Sequence, residues 1–157
     1  MATLDRLAVQ FYISRESEMR SVDSAVAVAR ALGHPARLRA VAMLRSGELC
    51  VCQITAVLGL APSTVSLHLR ELKRCGLVAE RKDGRWVSIA LSDDPGATGW
   101  IDTALAAAGD DPRLIEDARL VAKLRRMPVE ELCRLGVPAA REMLRRGAGA
   151  ARRKGRG

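Results

Sequence analysis

The sequence predicts a mainly α-helical domain carrying one small β-hairpin, and three observations point to it. Hydrophobic residues fill 48% of the 157 positions while aromatic residues fill only 3%. A core must therefore be built from Ala, Leu and Val, as in packed helices. Apolar residues recur at helical spacing in segments bounded by Gly and Pro. A lone Asp83-Gly84 pair separates two β-prone runs, and that pair suits the positive φ of a tight hairpin turn. The length allows one domain with its own core and an appendage.

Taken in order, Leu4, Leu7 and Phe11 predict a short amphipathic helix over 3–13. A second helix, about SAVAVARAL, stops at Gly33, where His34-Pro35 breaks the chain. A third, about ARLRAVAMLRS, turns Leu38, Val41 and Leu44 inward and stops at Gly47. ELCVC then leads into a short helix through QITAVL, ended by Gly59. APSTVSLHLRELKRC forms a longer helix, with Pro62 in its first turn and Gly76 at its stop. LVAERK and RWVSIAL make the hairpin around Asp83-Gly84. SDDPGATG breaks regular structure, so 93–99 reads as a linker. Beyond it, Leu114, Ala118 and Val121 form a helical stripe, followed by short helices around 130–134 and 139–146.

A short helix, a tight turn at Gly59, a longer helix and a basic-tipped hairpin together make a winged helix-turn-helix. In such a module the second helix of the pair lies in the DNA major groove. The chain then divides into a winged helix-turn-helix DNA-binding domain over 1–92, a linker over 93–99, a helical extension over 100–146 and a tail over 147–157. Within the longer helix Val65, Leu69 and Leu72 share a core-facing side. The opposite side offers Ser63, Thr64, Ser66, Leu67, Arg70, Lys73 and Arg74. First-turn hydroxyls reach phosphates or base edges, Leu67 suits a thymine methyl, and Arg70 suits guanine or phosphate. His68 falls between the two sides and orients the helix through a hydrogen bond. The hairpin tip carries Arg81, Lys82 and Arg85, placed for phosphates along the neighbouring groove.

Charge alone decides less. The formal net charge is +8, but Arg145, Arg146, Arg152, Arg153, Lys154 and Arg156 follow Glu142 with no acidic residue among them, leaving +2 for the rest. GAGAARRKGRG reads as a disordered basic tail that either holds polyanions without sequence preference or simply solubilises the chain. No apolar run approaches the roughly 20 residues of a membrane span. The start, MATLDRLAVQFYIS, lacks a cleavable signal pattern and is expected to be a mature cytoplasmic N-terminus. Four cysteines in such a chain suit reduced thiols rather than a disulfide framework.

Residues 30–91 resemble the ArsR/SmtB family of dimeric bacterial metal- and metalloid-responsive repressors. The resemblance rests on L-G-H-P-x-R, E-L-C-V-C, S-x-x-S-x-x-L-x-x-L and R-x-D-G-R-W-V, and spans about two fifths of the chain. It implies a homodimer on double-stranded operator DNA, formed through the first and last helices, which correspond to 3–13 and the stripe around 114–121. Dimerisation also has a physical rationale, because a single module reads too few base pairs.

In the arsenic-sensing branch, E-L-C-V-C opens the first helix of the pair and its cysteines take trivalent arsenic or antimony. The resemblance thus implies that Cys50 and Cys52 bind arsenite or antimonite as an inducer, with no obligatory cofactor. Soft centres want thiolates, and a helix N-terminus favours the thiolate anion. Residues i and i+2 of an intact helix point about 200° apart, so joint coordination is expected to unwind the first turn. The usual third cysteine of that branch is replaced by Thr55. Cys133 is the protein candidate for a third ligand if the C-terminal helices fold back or cross the dimer. The alternatives are a buried structural thiol there, with an external thiol or water completing the site. Cys75, at the far end of a helix, reads as core.

The zinc site of the other branch needs His and carboxylate ligands near the C-terminus, and the only histidines are His34 and His68. Cadmium or lead at the thiolates stays open, as does a redox sensor oxidising Cys50 and Cys52, although a Cys-x-Cys disulfide is a strained ring. A thiol-disulfide enzyme is disfavoured without a βαβ pattern or Cys-x-x-Cys. A nucleoid-like DNA binder with inert cysteines is the remaining alternative.

Overall fold

A computed structural model describes the backbone of residues 21–84 and 86–153. The helix expected over 3–13, Arg85 and the last four residues lie outside the described residues.

Helix α1, Val22–Leu32, starts at a reciprocal cap. The Ser24 amide donates to Ser21 Oγ at 3.0 Å, and the Ser21 amide donates to Ser24 Oγ at 3.1 Å. Helix α2, Pro35–Leu44, has proline in its first turn and His34 as N-cap, whose Nδ1 accepts from the Ala36 amide at 3.2 Å. Val41 and Leu44 of α2 are buried as expected, but Leu38 is only half-buried. Strand β1, Leu49–Cys50, leads directly into helix α3, Val51–Leu58. Gly59 closes α3 at φ 71°, a conformation that glycine adopts without strain. Helix α4, Pro62–Arg74, follows, with Val65, Leu69 and Leu72 turned into the core.

Strands β2, Val78–Asp83, and β3, Trp86–Leu91, form the expected hairpin, in register from Val78↔Leu91 to Asp83↔Trp86. The sheet has three strands rather than two. β1 adds to the free edge of β3, pairing Leu49 with Ile89 and Cys50 with Ser88, in the order β1-β3-β2. A two-residue strand carries no alternation to read, and its partner lies some forty positions away. Arg125 fixes the approach to it, donating from Nη2 to the carbonyls of Gly47 at 3.1 Å and Glu48 at 3.2 Å.

The segment expected as a linker over 93–99 instead opens helix α5, Pro95–Ala108. Asp94 Oδ1 accepts from the Ala97 amide at 2.9 Å and Pro95 occupies the first turn, so the same residues that break the preceding strand start a helix. Ala97 and Ile101 bury this helix against the domain, and α5 packs on α1 and α2. Helix α6, Pro112–Leu124, buries Asp117, Val121 and Leu124 against the same chain, chiefly against α2 and α3. Leu114 is half-buried and Ala118 exposed, so the stripe expected around 114–121 is shifted and used internally. Asp117, 3% exposed, takes two bonds from Arg39, at 2.7 Å from Nε and 2.8 Å from Nη2.

Helix α7, Val129–Arg153, is broken at Gly136 (φ 77°, ψ 175°), just before Pro138. The break separates the two short helices that the sequence predicts. The helix continues to Arg153, making the backbone of 147–153 helical where the sequence predicts a disordered tail; Ala and Arg are strong helix formers and outweigh the two glycines. α7 folds back on α3 with Leu132, Ala140 and Leu144 buried. One core that includes Val28, Val41, Leu49, Ile54, Leu72, Val78, Ile89, Ile101, Leu124 and Leu132 joins all these elements. Each fully buried leucine or isoleucine contributes about 1.5–3 kcal/mol. Among the described residues no single helix is long and apolar enough to cross a membrane.

Candidate metal centre and nucleic-acid interface

Three thiols meet at the N-terminal end of α3. Cys50 is the last residue of β1 and the N-cap of α3, with extended backbone at φ −74°, ψ 153°. Cys52 sits one residue inside the helix, and Cys133 arrives from the first segment of α7. The Cys52 and Cys133 sulfurs lie 2.9 Å apart and the Cys133 and Cys50 sulfurs 3.4 Å apart. All three lie within 4.8 Å of one another. Metal–sulfur bonds of roughly 2.3 Å place sulfurs roughly 3.8 Å apart at a tetrahedral angle. A shared soft ion therefore needs only small adjustments of this cluster.

That geometry corrects the expectation that joint coordination must unwind the helix. The 200° argument assumes both cysteines on helical backbone. β1 pairing holds Cys50 in extended backbone instead, and its thiol swings over the helix end beside Cys52.

The electrostatics single out one thiol. The hydrogen bond from Cys52, helped by the Gln53 amide and the Cys133 thiol, lowers Cys50 to about 6 against the opposing effect of burial. Cys52 is pushed strongly upward, first by its bond to Cys50 and then by burial. Burial also pushes Cys133 up. The cluster thus holds one thiolate hydrogen-bonded by two thiols. Gln53, buried, accepts from the Cys50 amide at 2.9 Å and braces the N-cap. A cleft of ≈ 290 Å³ lined by Pro62, Trp86, Val87 and Val137 gives access to the thiols. Thr55, at the position of the branch's usual third cysteine, is 1% exposed and donates to the Val51 carbonyl at 2.6 Å. Cys75 stands apart as core: it is buried, with Sγ donating to the Ala27 carbonyl at 3.6 Å.

The face of α4 opposite the core presents Ser63, Ser66, Leu67 and Arg70 exposed, with Thr64 and His68 half-buried. Leu67 is an apolar side chain left 55% exposed. Ser66 Oγ donates to the Pro62 carbonyl at 2.9 Å and remains an acceptor. His68 orients the helix differently from expectation. Its ring lies 4.4 Å from that of His34, tilted 40°, a ring contact rather than a hydrogen bond. Burial first, then His34 and Arg37, lower its pKa.

The basic residues divide into two groups. Lys73 pairs with Glu80 on the wing at 3.1 Å, and Arg81 pairs with Glu48 at 3.0 Å. These pairs tie recognition helix, wing and β1 loop together. Arg70 and Lys82 have no ion-pair partner among the described residues, and both border the ≈ 460 Å³ groove between α4 and the wing. The sequence reading missed Gln53, Trp86 and Arg141. Trp86 and Arg141 acquire their places from partners distant in the chain, whereas Gln53 has a local signal, as the residue three after the Cys50 N-cap in a capping box.

Residues 34–80 match the model of the bacterial regulatory protein, arsR family. The chain is 32% identical over 113 residues to the arsenic resistance transcriptional regulator ArsR1 of Pseudomonas putida, covering 70% of this chain and 87% of that one. It is 40% identical over 105 residues to the transcriptional regulator CmtR of Mycobacterium tuberculosis, covering 64% of this chain and 87% of that one. Among solved structures it resembles the homodimeric winged helix-turn-helix domain Mb0332 of Mycobacterium bovis, with TM-score 0.50 and 27% identity over 56% of this chain and 82% of that one.

Proposed function

Because this chain belongs to the arsR family of bacterial winged helix-turn-helix transcriptional regulators, and is not an enzyme, we propose that it is a cytoplasmic metalloid-responsive repressor. It binds operator DNA as a homodimer and releases it when trivalent arsenic or antimony is held by Cys50, Cys52 and Cys133. The observation that carries this reading is the convergence of three sulfurs, from β1, α3 and α7, within 4.8 Å. Among the described residues no His or carboxylate joins the group, and an all-thiol set selects soft, thiophilic centres. The arsenic resistance regulator among the relatives supports the same choice of inducer. Cadmium or lead would meet the same sulfurs and is the alternative within this reading.

On the DNA side, Ser63, Thr64, Ser66 and Leu67 enter the major groove, with Arg70 and Lys82 free to take a base edge or phosphate. Lys73 and Arg81 hold the wing and exchange their intramolecular carboxylates for phosphates only at some electrostatic cost. His68 acts through its contact with His34. The dimer surface is formed by α1 and α5, which pack together and leave Val22 80%, Val26 42% and Trp100 37% exposed. Coordination spreads the three sulfurs around one ion and so shifts α7 relative to the start of α3. A conformation that binds the ion better and the operator worse then gives derepression by linkage.

A second reading has its own observation. The 2.9 Å separation of the Cys52 and Cys133 sulfurs permits a disulfide between distant residues, free of the strained ring of Cys50 with Cys52. One experiment separates the readings: operator binding by the reduced dimer, titrated with arsenite and separately with an oxidant. Cys50→Ser and Cys52→Ser keep operator affinity and lose arsenite release. Loss of operator affinity in both variants, without arsenite, would make the thiols structural and end this proposal.

A further inference from the structure

We propose that Arg141 is the positioning residue that carries occupation of the thiol site to the recognition helix. This inference rests on the functional reading above and names the route of its regulation. Arg141 lies eight residues after Cys133 on the same helix, beyond the break at Gly136. Its guanidinium reaches across to the helix-turn-helix, where Nη2 donates to the Leu60 carbonyl at 2.5 Å and to the Thr55 carbonyl at 3.3 Å.

The two acceptors flank the turn that sets the angle of α4, one in the last turn of α3 and one just before α4. The Thr55 carbonyl is one of the last in α3 and also receives the Gly59 amide at 3.2 Å. Leu60 directly precedes Ala61, the N-cap of α4, which itself has no side-chain cap. An arginine from α7 thus donates to one carbonyl in the last turn of α3 and to one in the connection to α4, tying both to α7. Its Nε is buried with no hydrogen-bond partner among the described residues. The clamp therefore rests on two backbone carbonyls and is lost as a unit when α7 shifts.

α7 is well placed to transmit such a shift. Leu132 and Ala140, both 0% exposed, hold it on either side of the break, and Leu144 continues the contact one turn further. Cys133 contributes a sulfur before the break and Arg141 holds the turn after it. Seating an ion spreads the Cys133 sulfur from its 2.9 Å and 3.4 Å contacts with Cys52 and Cys50, which displaces the first segment relative to α3. Gly136 at positive φ is the joint at which the second segment changes angle. The turn held by Arg141 is a direct connection between α7 and α4, beside the packing of α3 on α4.

A purely structural arginine would stabilise the fold and leave the response intact. The test therefore measures the response itself, the ratio of operator affinities without and with arsenite, in full-length protein. Arg141→Ala is expected to reduce that ratio at least tenfold, while arsenite still binds the three thiols of the free protein with near wild-type affinity. Arg141→Lys, which keeps one donor, is expected to recover part of the ratio. A wild-type ratio in Arg141→Ala would overturn the proposal. Hydrogen exchange in the wild type covers the case of a poorly folded variant: arsenite is expected to speed exchange of the amides of Ser63, Thr64 and Val65, and unchanged exchange would overturn the proposal as well. A wild-type operator complex indifferent to arsenite would instead remove the functional reading, and the proposal with it.

Discussion

Helices α3 and α4 stand next to each other in the turn and differ in almost every physical respect. In α3 six consecutive residues, 53–58, are buried, so the helix is enclosed on all sides by α2, α6, α7 and the sheet. In α4 only Val65, Leu69 and Leu72 are buried, and the remaining residues are half-buried or exposed and mostly polar. The three clustered thiols meet at the start of the enclosed helix, and the residues proposed to face DNA lie on the exposed one. The difference teaches that the proposed sensor is a core feature drawing sulfurs from three elements, whereas the proposed reader is one face of a helix anchored by a single buried stripe. A small rearrangement at the enclosed end is poorly absorbed in a close-packed interior, and on the reading proposed above it emerges at the helix with one free face.

The sharpest way to break that contrast is pH, because the enclosed cluster holds one thiolate and two thiols. Arsenous acid exchanges three hydroxyls for three sulfurs and releases three waters, which requires one proton per sulfur. With Cys50 ionised above about 6, one of those protons comes from solvent. Arsenite affinity is then level below that pH and falls about tenfold per unit above it. A cadmium ion instead displaces the protons of Cys52 and Cys133, so its affinity rises about a hundredfold per unit over the same range. Competition titrations across this range check both slopes. An arsenite affinity that climbs with pH would contradict a cluster resting with one thiolate.

The next effect separates scaffold from signal. Asp117→Ala leaves Arg39, only 24% exposed, without its partner at the α2–α6 contact. The expected loss is about 3 kcal/mol of stability, as for breaking a buried pair from one side, read by denaturant unfolding. Arsenite should still release operator with the wild-type ratio, since this pair lies away from both thiols and turn. On the exposed helix, Arg70→Ala is expected to cost about 1–3 kcal/mol of operator affinity and relax specificity at one base pair. A loss uniform across sequences, with a shallower salt slope, assigns Arg70 to phosphate.

The same contrast explains what was legible in the sequence. The reading half is local: Pro62, Gly59, the Val65-Leu69-Leu72 stripe and Asp83-Gly84 each announce their element within a few residues, and each stands where expected. The sensing half is non-local. Cys50 and Cys52 are visible as a motif, but the geometry that joins them depends on β1 pairing with β3, and Leu49-Cys50 is too short to announce a strand. Cys133 depends on α7 folding back across more than seventy residues. The segment 93–99 misleads for a different reason, because Asp-Pro ends a strand and begins a helix with equal ease. Arg141 resembles any other arginine on a basic helix until the turn it holds is seen.

The measurement that tests the central claim most directly is arsenic X-ray absorption on the reduced dimer, recorded for the wild type and Cys133→Ser alongside operator titration. The account predicts three sulfur neighbours per arsenic in the wild type, two in Cys133→Ser, and operator release only in the wild type. An identical sulfur count in both proteins, with operator released equally by arsenite, would place the third ligand elsewhere and contradict a sensor completed by α7.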